Sequence, residues 1–178
     1  KPEVFWTFRK CIEGISEACA KFEAPITGGN VSFYNESPQG AIYPTPTIGM
    51  AGLIDDIDNL IPSFFQNDGD LIYLVGETKD EIGASQYLLT VRGKREGLTP
   101  RLDLDHELRL QNFLQASAKK KLLKSAHDLS DGGLLITLAE CLLGTRGHPK
   151  GAQVEIGDWA KGLRRDSILF GETQGRVL

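Results

Sequence analysis

Two adjacent glycines, an asparagine and, two positions on, a serine are the residues of this chain best suited to chemistry. They are Gly28, Gly29, Asn30 and Ser32 in the run PITGGNVSFYNE at residues 25–36. Glycine has no Cβ, so its main-chain N–H can come close to a polyanion and can adopt angles closed to other residues. Asn30 adds a carboxamide oxygen, an acceptable Mg²⁺ ligand when water and nucleotide phosphate supply most of the coordination sphere. If Val31 begins a strand, Asn30 and Ser32 point to one face. The tetrapeptide Thr-Gly-Gly-Asn alone also describes an ordinary turn before a strand, because Gly and Asn punctuate turns.

A second block, His127-Asp128-Leu129-Ser130-Asp131-Gly132-Gly133, precedes the apolar run Leu134 to Leu143. The adjacent imidazole and carboxylate of His127 and Asp128 suit a proton-transfer couple or a phosphate contact. A capped loop before a buried helix explains the rest without chemistry, with Ser130 or Asp131 placed to cap. His106 and His148 have no partner near them in sequence and receive no role. Cys11, Cys19 and Cys141 form no CxxC or Cys/His pattern, so zinc is not indicated. Cys11 and Cys19, eight apart on one helix, read as core residues. Asp55, Asp56 and Asp58 read as an acidic linker that starts a short helix, and less well as a metal cluster.

The elements that must carry these residues follow from periodicity. Phe5, Phe8, Ile12, Ile15, Cys19 and Phe22 recur at spacings of three and four, an amphipathic helix that ends before Pro25. Val31–Tyr34 and Thr47–Ile54 are rich in β-formers and predict two strands of one sheet, with a loop over 37–46. A junction is expected near residue 56. Beyond it the pattern predicts a strand at Leu71–Val75, a short helix over Asp80–Thr90 and a long helix over Asp103–Ser125 with a stripe of Leu104, Leu108, Leu114, Ala118 and Leu122. After the apolar helix come strands at Val154–Ile156 and Ile168–Phe170, with a helix starting near Asp158 between them.

The 178 residues, 40% apolar, are enough for a core in one domain or two small ones. A net charge of −4 gives no electrostatic reason to expect nucleic acid or an anionic membrane. Lys119, Lys120, Lys121 and Lys124 read as a solvated helix face. No apolar stretch reaches the roughly 18 residues that span a bilayer, and no signal peptide opens the chain, so the expected location is cytoplasmic.

Four blocks in order carry a family resemblance: PITGGNVSFYNE at 25–36, YPTPTIGMAGLI at 43–54, AHDLSDGGL at 126–134 and LFGETQGRVL at 169–178. They resemble the phosphoribosylformylglycinamidine synthases, ATP-dependent amidotransferases of purine biosynthesis, and the resemblance covers essentially the whole chain. It implies an α/β (α+β) fold. Residues 1–55 would end an ATP-binding domain like the amino-terminal-type domain of aminoimidazole ribonucleotide synthetase, with a helix, a Gly-rich turn and two strands. Residues 56–178 would form a truncated carboxy-terminal-type domain. By motif position Gly29 would contact ATP, Asn30 would bind Mg²⁺ and Ser32 would hydrogen-bond the substrate, with no catalytic residue in this piece.

The reaction implied joins formylglycinamide ribonucleotide and ammonia at the expense of ATP. The implied partners are a glutaminase subunit or domain and the amino-terminal half of the same enzyme, without which the piece is expected to be inactive. Glu172-Thr173-Gln174 stands where the family usually has Glu-Ser-Gln, and no substrate role is carried to it. Two other readings stay open: a non-catalytic nucleotide-holding or dimer-forming module, and a sister enzyme such as aminoimidazole ribonucleotide synthetase or selenophosphate synthetase. The run Asn30 to Glu36 favours the first family over the sisters.

Overall fold

The computed structural model describes residues 2–144 and 150–178, so His148 lies outside the described residues. The chain forms two compact units, Lys1–Leu53 and Ile54–Leu178.

The first unit opens on helix α1, Pro2–Lys21. Proline suits the first helical turn because its missing N–H would be unpaired there in any case. Glu13 accepts from Arg9 and Lys10, one turn back, at 2.6 Å each. Those two cations hold its carboxyl below the usual carboxylate range, Lys10 contributing most. The apolar stripe of α1 is present but none of its residues is buried. Phe8 meets Phe33 with ring centroids 5.8 Å apart, the tilted geometry that aromatic quadrupoles favour.

The predicted strands at Val31–Tyr34 and Thr47–Ile54 do not form. The unit's regular pairing, among the described residues, is a two-residue hairpin, β1 (Glu36–Ser37) with β2 (Gly40–Ala41), inside the expected loop. β-Formers make a strand only where a neighbour supplies the ladder hydrogen bonds. Neither segment has such a neighbour here.

In the second unit Asp56 caps a 3-10 turn at Ile57–Asn59, its carboxylate accepting from Asp58 N–H at 3.0 Å. The acidic run therefore starts a short helical turn, as its composition suggests. Helix α2 is Gln86–Arg92, later and shorter than predicted. Ala84 has φ +56° and its N–H donates to Glu96 O, which breaks the helical path before Ser85 can cap. Helix α3, Leu104–Lys119, is capped by Asp103 and stops six residues short of the predicted Ser125. There Lys121 takes φ +55°, its N–H bonding Ala118 O while Leu122 N–H bonds Ser117 O. These two bonds close the helix as a Schellman motif, without the usual glycine. Two of the four clustered lysines are therefore not idle surface charges: Lys121 Nζ reaches Asp58 O and Lys124 pairs with Asp70.

Helix α4, Gly133–Leu143, buries Leu134, Thr137, Leu138 and Cys141. Leu129, Leu134 and Leu138 form the core, with Phe65, Ile72, Leu74 and Leu178 packed against it. The expected strand at Leu71–Val75 is reduced to a single bridge, Val75 with Val177, and Val177 also bridges Asp128. His127 and Leu178 exchange two main-chain bonds at 2.9 and 2.8 Å, and Leu129 N–H adds a third to Arg176 O. The last residues thus lie between two segments that are distant in sequence. Val154–Ile156 forms no strand and Asp158 opens only a 3-10 turn, Asp158–Ala160. The apolar triplet at 168–170, predicted as a strand, ends helix α5, Arg165–Phe170. A three-residue apolar run carries no period that separates the two.

Cys11 and Cys19 are half-buried and Cys141 is buried, so the first two do not form a core. Burial pushes the Cys141 thiol up to about 11, and only the thiolate is a nucleophile. Under native conditions near pH 8, Ellman's reagent should therefore modify Cys11 and Cys19 and spare Cys141 until denaturant is added. Fast modification of Cys141 in the Cys11→Ser/Cys19→Ser variant would contradict this packing.

Candidate functional site

The glycine turn is open. Neither Gly28 nor Gly29 has a positive φ, and a Cβ built on either meets nothing within 4 Å. Asn30 Nδ2 donates to Ser32 Oγ at 3.4 Å, and Asn35 Nδ2 donates to Ser32 O at 3.3 Å. Asn30 and Ser32 are thus adjacent without the strand that was expected to align them. The first bond uses the carboxamide nitrogen and leaves its oxygen for another partner.

Among the described residues no group of three or more His, Cys, Asp or Glu could hold a metal. Asn30 therefore offers one neutral oxygen, which fits Mg²⁺ carried largely by nucleotide phosphate and does not fit a self-sufficient metal centre. Gly28 and Gly29 are both exposed, with open space above them.

The 127–133 loop is fixed by bonds that local sequence does not reveal. His127 Nδ1 lies 2.8 Å from Asp128 O, and a carbonyl only accepts, so Nδ1 carries the proton. The ring's other nitrogen stands 3.5 Å from Glu140 Oε2. His127 is mostly enclosed and Asp128 is exposed, with His127 Nδ1 3.5 Å from Asp128 Oδ1. Neither Ser130 nor Asp131 caps α4. The cap is Gly132, at φ +80° and without a side-chain bond, and its N–H donates to Glu172 Oε1 at 2.8 Å. The same oxygen accepts from Gln86 N–H at 2.8 Å. Glutamate from 40 residues further along has taken the capping role, which a charge complementary to two helix starts favours. Here the glycines are required by the fold: a Cβ on Gly132 would lie 2.4 Å from Ile136 Cγ1, and one on Gly133 2.5 Å from Gly171 O.

Arg176 holds the loop that delivers Glu172. Only 2% exposed, its guanidinium donates to Thr173 O at 2.9 Å, Gly171 O at 2.6 Å and Thr78 Oγ1 at 3.2 Å. Burial lowers its pKa to about 10 while the nearby Glu81 charge opposes the shift. It therefore stays charged at neutral pH. Thr173 is buried and its hydroxyl finds no partner. The sequence signal for this cluster was slight: one cation set among small and apolar residues in GETQGRVL.

Residues 67–178 match the family model described as AIR synthase related protein, C-terminal domain. The chain belongs to the AIR synthase related family. Residues 1–54 match the N-terminal domain of AIR synthase related protein, and the fold class is α/β as expected. Similar curated proteins include "Phosphoribosylformylglycinamidine synthase subunit PurL" from Chlorobaculum tepidum, 49% identical over the whole chain, and from Chlorobium luteolum, 48% identical over the whole chain. That of Alkaliphilus metalliredigens is 45% identical over 99% of the chain. The chain spans 24%, 24% and 23% of the length of these relatives. No helix among the described residues is long and apolar enough to cross a membrane.

Replacing Glu172 with Ala would leave the part-buried Gly132 amide unpaired, at a cost of about 1–3 kcal/mol, and return the exposed Gln86 amide to water. The urea midpoint should fall by an amount equivalent to about 2 kcal/mol with little change in slope, and Glu172→Gln should recover much of it. An unchanged midpoint for Glu172→Ala would show that the shared oxygen does not hold this joint.

Proposed function

We propose that this member of the AIR synthase related family is part of an ATP-dependent ligase of purine biosynthesis. The reaction converts formylglycinamide ribonucleotide, ammonia and ATP to formylglycinamidine ribonucleotide, ADP and phosphate. In this reading the amide oxygen of the substrate takes the γ-phosphoryl group and ammonia then displaces phosphate, leaving the amidine. The observation that carries it is the Gly28-Gly29 pair, which neither conformation nor packing within this chain requires. A ligand that comes close to the main chain supplies the missing reason.

The roles follow from position. Gly29 presents its main-chain N–H to the phosphates of ATP. Ser32 Oγ already accepts from Asn30, so its own proton is available to a substrate acceptor. Asn30 Oδ1 would hold Mg²⁺, which supplies charge neutralisation at the transferring phosphoryl group when bound. Glutamine-derived ammonia, a glutaminase partner, the amino-terminal half of the enzyme and a cytoplasmic setting belong to the same proposal. They rest on resemblance and on the names of the relatives.

A second reading, a module that holds nucleotide without turning it over, is favoured by one feature of the second unit. Thr173 in the Glu172-Thr173-Gln174 block is 1% exposed and Glu172 is engaged by two amides. Neither side chain is free for substrate in this arrangement. Isothermal titration separates the two readings: tight Mg²⁺-dependent ADP binding by this chain alone supports holding, and binding that appears only in the full-length protein supports a shared catalytic site.

Gly29→Ala is the sharper test. Because φ is compatible and the space is open, the substitution should leave stability unchanged or raise it by about 0.5 kcal/mol. In the full-length protein it should weaken Mg²⁺-ATP binding about tenfold or more by titration. Unaltered nucleotide affinity in a folded Gly29→Ala protein would remove the turn from the site.

A further inference from the structure

The chain contains two Asp-Gly pairs, Asp68-Gly69 and Asp131-Gly132, and no Asn-Gly. Asp-Gly is the pair most open to a self-modification of the main chain. The amide nitrogen that follows an aspartate attacks the side-chain carbonyl carbon, and glycine, with no Cβ, leaves that nitrogen least shielded and most free to turn. The attack forms a C–N bond, releases the amide proton and expels the carboxyl hydroxyl with it as water. Water then opens the resulting succinimide at either carbonyl. One opening restores aspartate, and the other gives isoaspartate, in which the chain runs through the former side chain. Nothing is oxidised or reduced, and water is the only co-reactant.

The structure treats the two pairs differently. Gly132 N–H donates to Glu172 Oε1 at 2.8 Å in a part-buried bond, and Gly132 caps α4, whose Leu134 and Leu138 lie in the core. An amide held in this way must first be freed by local opening before it can attack. At Asp68-Gly69 neither restraint is present. Both residues are exposed, the Asp68 side chain to 92%, and among the described residues nothing accepts from Gly69 N–H. The turn is loosely closed, Asp70 N–H lying 3.4 Å from Asn67 O. The Asp70 carboxylate is occupied by Asn67 N–H at 3.1 Å, Asn67 Nδ2 at 3.3 Å and Lys124. Lys150 Nζ, 2.8 Å from Asp68 Oδ1, holds the Asp68 carboxyl below the usual carboxylate range. The neutral acid is the form that loses water, so Lys150 slows the step, but a pair this exposed is too weak to prevent it.

We propose that Asp68-Gly69 is a site of spontaneous isoaspartate formation in the folded protein, and that Glu172, by holding the Gly132 amide, spares Asp131-Gly132. The product inserts a methylene into the main chain between Asn67 and Asp70, whose mutual bonds tie the turn. The site does not depend on the Gly28-Gly29 turn, which lies in the other unit. Either proposal can fail while the other stands.

The test ages the full-length protein for several weeks in warm, mildly acidic buffer, folded and in guanidinium chloride, and scores proteolytic peptides for isoaspartate by electron-transfer fragmentation. In the folded protein Asp68 should accumulate isoaspartate about tenfold faster than Asp131, or more. In guanidinium chloride the two rates should agree within about twofold, because both pairs then sit in open chain. Asp68→Glu should remove the signal at that position, since the longer side chain would have to close a six-membered ring. Glu172→Ala should raise isoaspartate at Asp131 about tenfold, and Glu172→Gln, which keeps an acceptor, should not. Accumulation at Asp68 about tenfold slower in the folded than in the unfolded protein would show that the native turn protects it and overturns the site. Equal accumulation at both pairs in the folded protein, or no rise at Asp131 in a folded Glu172→Ala protein, overturns the sparing by Glu172.

Discussion

The second unit depends on one carboxylate oxygen shared between two helix starts. Glu172 Oε1 joins Gln86 N–H and Gly132 N–H at 2.8 Å each, so α2 and α4 meet through the loop between α5 and the last residues. A main-chain amide excluded from water without a partner costs more than a formed bond returns. Here a part-buried donor, Gly132 N–H, and an exposed one, Gln86 N–H, converge on one acceptor. Arg176 makes that convergence possible from beneath, because its three bonds fix Gly171 and Thr173 on either side of Glu172. A lysine could not replace it, since three separate acceptors need a fork of donors and not a single charge.

Two glycine pairs in the same chain illustrate opposite reasons for having no side chain. Gly132 and Gly133 sit at positive φ, and a Cβ on either would lie 2.4–2.5 Å from a neighbouring atom. The fold explains them fully. Gly28 and Gly29 have ordinary φ and empty space around them, so the fold explains nothing about them. The pair a sequence reader takes as chemistry is the pair that structure leaves unaccounted for, and the pair beside His127 and Asp128 turns out to be architectural.

What the sequence disclosed follows from the range over which each signal acts. The stripe in α1 and the apolar run of α4 are periodic over several turns, and both helices appear where that period puts them. Local rules also gave the Asp56 turn. The failures are long-range. Strands at 31–34 and 47–54 needed a neighbour, α3 ended at a left-handed lysine with no glycine to announce it, and the cap of α4 came from Glu172. Gln86 lies 86 residues from that glutamate, and no reading of a short window can pair them. Ile168 and Phe170 failed for the opposite reason: the window was too short to hold a period.

The two units differ in how firmly they hold their candidate sites. In the second, a core of Leu129, Leu134 and Leu138 lies directly behind the 127–133 loop. In the first, α1 buries no residue, and the turn at Asn30 and Ser32 is tied by side-chain bonds of 3.3 and 3.4 Å, long for their type. Any contact that covers the exposed apolar residues Phe5, Trp6 and Ile12 of α1 would steady the helix that leads into the turn.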